Sequence, residues 1–341
     1  MRRHLLSILF AAAALGLGTG LDLDLGADSE AGPGAVAEPV RLSARLLGEP
    51  VALEVRDLPP EDGDDAVRAA FARTAELADL LAAAVGRLNA GAQEERSVAV
   101  EPVVAELLAR ALEFCAWSQA SHGPLGGRLA DYWEENGPAL AGNPSPPPPP
   151  PALAESAACD RLRLDRETGS ARIAAGSRVD LSGFAVGAAV DRAVESLLAA
   201  GAADGRVRIG RVERAFGPGP EGRGWPVTLP VFEGYDRPLD ELHLRDRSLA
   251  LVWRADWAPG APRHVDQRTG LPPDGVWATV AVTERAADAQ ALAVAALVLG
   301  TREGRFRSAT LDPEPSILWL LGRGTGRPLL MELNWSALRE P

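Results

Sequence analysis

Apolar positions recur at helical spacing through Asp65–Leu88, where Val67, Ala70, Phe71, Ala75, Leu77, Leu80 and Leu81 would share one face. A second helix is expected from Pro102, carrying Val103, Leu107, Leu108, Ala111, Leu112 and Cys115, because proline suits a first helical turn. Two more are expected at Asp191–Ala200, stopped by Gly201, and at Ala286–Leu299, closed by Gly300. Strand patterns fill the intervals. Val40–Val55 reads as a strand or hairpin, and Leu162–Ile173 as a hairpin about a Glu167–Ser170 turn. Arg178–Leu181, Val207–Ile209, Leu242–Trp253, Trp277–Val282, Ser316–Leu321 and Pro328–Glu332 read as further strands. A Gly-rich loop is expected over Ser121–Arg128, then a short segment ending at Trp133. No repeat of fixed period appears, and the chain reads as a mixture of helices and strands.

The first residues follow a different logic. Arg2, Arg3 and His4 precede an apolar stretch from Leu5 to about Gly18, the layout of a secretory signal. The run is short for a membrane span, which needs about 20 residues. No clean small-residue cleavage site follows, so a cleaved leader and a retained anchor over residues 1–20 both stay open. No cysteine lies there to carry a lipid. Residues 21–38 are acidic and rich in Gly and Ala, as a linker would be. An exported protein of the periplasm or cell envelope is the expectation. There the two cysteines, Cys115 and Cys159, can form one disulfide or stay as two buried thiols.

Composition narrows the chemistry. With 341 residues and 46% hydrophobic content the chain can bury a sizeable core. A net charge of −12 argues against a nucleic-acid partner. All 35 basic residues are arginine, so Schiff-base catalysis and a lysine phosphate clamp are excluded. Six consecutive prolines, Pro146–Pro151, form a stiff tract. It reads as a surface spacer in an insertion near 143–151, or as a ligand for an aromatic groove.

Two segments stand out. Val179-Asp180-Leu181-Ser182-Gly183-Phe184-Ala185-Val186-Gly187-Ala188-Ala189-Val190-Asp191 is a strand, a small-residue turn and a helix start, where backbone N–H groups can approach an anion. His264-Val265-Asp266-Gln267-Arg268-Thr269-Gly270-Leu271-Pro272 carries an acid into a turn, followed by Ala287-Asp288-Ala289 at a helix start. Together, in this order, they resemble the ApbE family of FAD:protein FMN transferases, with its D-L-G-G-I-A-K-G-Y-A-V-D, G-G-[DN], H-I-I-D-P-R-T-G and A-D-A-x-[AS]-T-A elements. Arg87-Leu88-Asn89 and Leu129–Trp133 fit the family's earlier region. The resemblance spans about Val40–Leu321 and implies a single α+β domain over 39–341, with a mixed or antiparallel sheet flanked by helices.

The resemblance also implies an activity: transfer of FMN from FAD, with Mg²⁺, onto a Thr or Ser of an exported flavoprotein substrate. Carried over by position, His264 is the catalytic candidate. Ser182, Gly183, Gly210, Arg211, Thr269 and Gly270 are the cofactor-binding candidates, and Asp288 is the metal candidate. The departures fall on the same roles. The family's lysine falls on Val186, its G-G-[DN] on Gly210-Arg211-Val212, its T-S-G near Val252-Trp253-Arg254, and the threonine after the metal aspartate on Leu292. A further family aspartate falls on Gly123. His264 lies two residues before Asp266 instead of three, and Arg263 takes the matching place. On a strand that offset would turn the side chain to the other face unless a bulge intervened. Three readings follow: a transferase rebuilt around Asp256, Asp274 or Glu284 and Arg211, a non-catalytic scaffold or partner-binding protein, and a flavin or nucleotide binder without transfer.

Overall fold

The computed structural model describes residues 38–46, 48–140, 147–230, 237–254, 262–322 and 329–339. The leader, the linker as far as residue 37, and Asp256 lie outside the described residues.

A strand covered on both faces has no polar side to show, and β10 (Arg247–Trp253) is buried from Ser248 to Val252. β11 (Ala278–Thr283) and β12 (Ser316–Leu321) are of the same kind. They join β1 (Val40–Leu46), β2 (Glu49–Val55), β6 (Gly205–Ile209), β7 (Val212–Phe216) and β13 (Leu329–Leu333) in an antiparallel sheet ordered β1-β2-β6-β7-β10-β11-β12-β13. Alternate residues supply two cores. Ala250, Val252, Ala281, Ile317 and Trp319 face one side; Leu249, Leu251, Val280, Val282, Leu318 and Leu320 face the other.

Helices cover the first side: α1 (Pro60–Gln93), α5 (Ala185–Ala199) and α6 (Ala286–Ser308) pack on one another and on the sheet. The second side is closed by a hairpin of β8 (Trp225–Thr228) and β9 (Glu241–Leu244), with Trp225 and Trp335 buried beneath it. A small sheet of β3 (Val98–Ala99), β5 (Ser170–Ile173) and β4 (Leu162–Asp165), in that order, packs by α1 and α2 (Pro102–Trp117). α3 (Gly127–Leu140) and the short α4 (Pro151–Glu155) complete the described helices.

Several expectations need correction. Arg178–Leu181 is no strand: Arg178 makes one isolated parallel bridge to Gly126. The backbone of Val179 is satisfied by the Asn89 side chain, which accepts from its N–H at 2.7 Å and donates to its carbonyl at 3.1 Å. Leu242–Trp253 is two strands in two sheets, parted at Asp246, whose φ is +53°. α5 starts six residues before Asp191, at Ala185. The helix expected to close at Gly300 resumes beyond it: Gly300 takes φ +69° and a helical stretch continues to Ser308. The segment ending at Trp133 is the first half of α3. The proline tract is not a free rod, since Pro149 is buried between its exposed neighbours. Cys115 and Cys159 are bonded to each other, tying the end of α2 to the turn before β4.

Candidate functional site

The two segments singled out by sequence meet at a small recess. Its walls are the 122–133 stretch, Asp180, Ser182 and Gly183 from the turn before α5, and residues 262–267. The Asp180 carboxylate accepts from the Ser182 N–H at 2.8 Å and fixes that turn. His122 lies flat on the Phe184 ring, centroids 4.9 Å apart. A Cβ on Gly183 would sit 2.5 Å from the His122 ring. The close approach that glycine allows is therefore taken by an imidazole of the same chain. Burial pushes His122 down to about 4. Burial first, then the charges of Arg263 and His122, push the half-buried His264 down to about 3. Both rings are neutral near pH 7.

His264 stands in irregular backbone, not on a strand, so the strand-face argument about its offset from Asp266 has no footing. The turn after it is self-contained. Asp266 accepts from the Arg268 backbone at 2.9 Å and from its guanidinium at 2.6 Å. Arg268 reaches on to Glu303 at 3.1 Å. Gly270, at φ +72°, gives its carbonyl to the Trp133 indole at 2.8 Å, and Pro149 and Leu129 pack where its Cβ would be. Thr269 braces the same turn, its hydroxyl accepting from Leu271 N–H at 3.2 Å. Gln267 donates to the Gly123 carbonyl at 3.0 Å. A Cβ on Gly123 would lie 2.5 Å from Cys115 Sγ, so the disulfide fills the space a side chain there would need.

Behind the recess, α5 and α6 are stapled. The buried Asp191 carboxylate accepts from Ala286 N–H at 2.9 Å and Ala287 N–H at 3.0 Å, capping α6 from across the helix pair. It also accepts from the Arg214 guanidinium at 2.6 Å. Gln290 accepts from Gly187 N–H at 2.8 Å and donates to the Ser182 carbonyl at 2.9 Å. Asp288, in the first turn of α6, is held at both oxygens by Arg110 of α2: Nε to Oδ1 at 2.8 Å, Nη2 to Oδ2 at 3.0 Å. Those hydrogen bonds first, with the charges of Asp288 and Glu113 besides, raise the Arg110 pKa further above its ordinary value against the opposing effect of burial.

The recess thus gathers Ser182, Gly183 and His264, with Thr269 and Gly270 in its supporting turn. Gly210 and Arg211 are elsewhere, as the two-residue turn between β6 and β7, with Gly210 at φ +58°. Arg211 O accepts from Leu251 N–H at 3.0 Å, level with Val280 on β11 and three residues up the sheet from Thr283, where the chain turns toward α6. The Glu49 carboxylate lies 2.8 Å from where a Cβ on Gly210 would be. Asp274 is fully exposed, 3.8 Å from Arg254, and Glu284 is exposed at the end of β11. Sequence reasoning missed His122, Gln267, Gln290 and Arg110. His122 carried a signal, one of four histidines and set among glycines. Nothing along α2 announced that Arg110 would meet a residue 178 positions away.

Mg²⁺ does not fit the residues around Asp288 as they stand. A hard cation needs several free oxygens, whereas both Asp288 oxygens are bound to Arg110 and Leu292 is buried and apolar. Among the described residues no group of three or more His, Cys, Asp or Glu side chains is placed to hold a metal. The recess measures about 30 Å³, space for a few waters at roughly 10–15 Å³ each.

Solved structures define the class of fold. The ApbE protein of Thermotoga maritima MSB8 aligns at 21% identity over 89% of this chain and 100% of its own, with a TM-score of 0.74. Pseudomonas stutzeri flavinyl transferase ApbE in apo form aligns at 17% identity over 88% and 96%, TM-score 0.71. Flavin transferase ApbE from Vibrio cholerae aligns at 18% over 87% and 96%, TM-score 0.66. The fold is that of flavin transferases. The model of the ApbE family matches residues 47–312, and the chain belongs to that family. A search among curated proteins finds no match.

Proposed function

We propose that this chain is an exported member of the ApbE family that keeps the flavin-transferase fold without transferring flavin, and serves as a partner-binding scaffold. The observation that carries this reading is the two-point contact of Arg110 on Asp288, the family's metal carboxylate by position. Phosphoryl transfer from FAD needs a cation to neutralise pyrophosphate charge. Here the carboxylate is already neutralised by a protein cation. Among the cofactor-binding candidates, Gly183 is approached by the His122 ring and Gly270 by Pro149 and Leu129 of the same chain. Export is supported by the basic-apolar start of the chain and by the Cys115–Cys159 bond, which suits an oxidising compartment. The fitting partner is an exported flavoprotein of the kind that active relatives would modify, bound here without modification.

The test is incubation of the purified mature protein with FAD and Mg²⁺, alone and with an exported domain carrying a flavinylation motif. Covalent FMN is read by in-gel fluorescence and AMP by release. The expected result is neither, with no saturable FAD titration. A fluorescent band that vanishes with chelator would overturn the reading. FAD binding without AMP release would assign a flavin binder instead.

A further inference from the structure

The eight-stranded sheet ends on β1, a seven-residue strand with no partner but β2 among the described residues. That pairing runs in register from Val40 opposite Val55 to Leu46 opposite Glu49, without a bulge. The other side of β1 is therefore a straight row of open backbone donors and acceptors, a template for one more strand. Its side chains alternate. Arg41, Ser43 and Arg45 are exposed on one face. On the other, Leu42 is buried, while Val40, Ala44 and Leu46 pack on the core but stay half-covered. Arg41 donates from Nη2 to Glu54 at 2.9 Å, and Glu54 is shared with Arg206 on β6. Arg45 donates to the Gly48 carbonyl at 2.7 Å. A strand that fits this edge carries acidic residues on one face and apolar residues on the other. A second β1 does not fit, since it sets arginine against arginine.

Such a strand is present in the same chain. Leu21-Asp22-Leu23-Asp24-Leu25 alternates apolar and acidic at every position and is bounded by Gly20 and Gly26. Residues 26–39 connect it to β1 and can span about 45 Å at roughly 3.3 Å per residue. β1 itself is about 24 Å long at roughly 3.4 Å per residue. The connection is long enough to lay the segment along β1 in either direction.

We propose that residues 21–25 add a ninth strand to the sheet at the open edge of β1. Asp22 and Asp24 then share a face with Arg41 and Arg45, and the three leucines cover Val40, Ala44 and Leu46. Backbone hydrogen bonds and the apolar surface removed from water hold the strand. The exposed charge pairs set its register more than its strength. The docked segment closes the edge to strands of other chains. A partner strand must displace it or bind elsewhere, so the chain guards its own most accessible pairing surface.

The experiment is hydrogen–deuterium exchange, read by mass spectrometry, on the purified protein without residues 1–18, with light scattering to fix its oligomeric state. The comparison is with Asp22→Arg/Asp24→Arg and with Leu23→Asp. In the wild-type monomer, residues 21–25 should exchange at least about tenfold more slowly than a free peptide of the same sequence, and β1 should be protected with them. Both variants should lose protection in the two segments together, while β10 and β11 stay unchanged and report that the fold is intact. Exchange of residues 21–25 at the free-peptide rate in the wild type overturns the proposal. So does protection of β1 that survives both variants, because something else then covers the edge. Protection found only in a dimer overturns it too, and gives the added strand to a second copy. The proposal does not rest on the functional reading, whose failure has its own signature, covalent FMN on a substrate domain.

Discussion

Asp191 carries more of the helix pair than any other single side chain in this region. One buried carboxylate accepts the first two N–H groups of α6 and the Arg214 guanidinium. Removing one partner of a buried, hydrogen-bonded pair costs about 3–5 kcal/mol. Asp191→Ala is therefore expected to lose stability on that scale in urea unfolding, with Arg214 and the α6 N–H groups left unpartnered. The two imidazoles of the recess set a pH dependence of definite sign. In the unfolded chain histidine titrates near 6.5, while His122 in the fold titrates at about 4. Between those values the unfolded state takes up a proton that the folded state refuses, so stability falls as pH drops through that window and levels off below it. His264 extends the loss toward pH 3. Above about pH 6.5 neither ring contributes a slope. Comparing wild type with His122→Gln isolates this contribution from the carboxylates. The variant's stability should fall less steeply from pH 6.5 to 4, by up to about 1.4 kcal/mol per pH unit. Parallel profiles would refute the assignment.

At the scale of elements, the tightest junction is between α5 and α6. A side chain at Gly187 would drive into the backbone of Ala286 and Ala287. Gly187→Ala should cost about 1–3 kcal/mol through forced separation of the two helices, visible as a lower urea midpoint. Its loss should exceed that of Gly86→Ala in α1, where a Cβ meets nothing. The sequence spelled out elements that are amphipathic or bounded by strong punctuation: α2 from Pro102, the β4–β5 hairpin, β12, and the half of α5 from Asp191 to its closing glycine. It concealed elements whose identity depends on what covers them. β7 alternates little because Val212, Glu213, Ala215 and Phe216 are all buried, and β8 exists as a strand only because it pairs with β9 over the second core. The site was legible in the same uneven way. Ser182, Gly183 and His264 converge as their order along the chain suggested. Arg110 and His122 came from α2 and the loop after it, and a contact between distant segments leaves no local periodicity. The proline tract was legible as stiff, but not as a wedge against Gly270.

For the molecule as a whole, the described ion pairs all use arginine, in keeping with a chain that has no lysine. The heaviest long-range constraint is covalent. Cys115 and Cys159 are 44 positions apart, and closing a loop of that size is worth about 4 kcal/mol by chain entropy. Cys115→Ser/Cys159→Ser should therefore unfold at markedly lower urea than the wild type, and reductant should move the wild type toward the variant while leaving the variant unchanged. The recess should loosen with it, because Gly123 rests against Cys115 Sγ. The bond has a further consequence, topological rather than energetic. It makes a closed ring of the stretch from Cys115 to Cys159, which contains the glycine loop, α3 and the proline tract. One protease cut anywhere inside that ring leaves two fragments that still travel as a single species without reductant and part when it is added. A nicked and an intact molecule would be indistinguishable by mass on a non-reducing gel, apart from the water gained in hydrolysis.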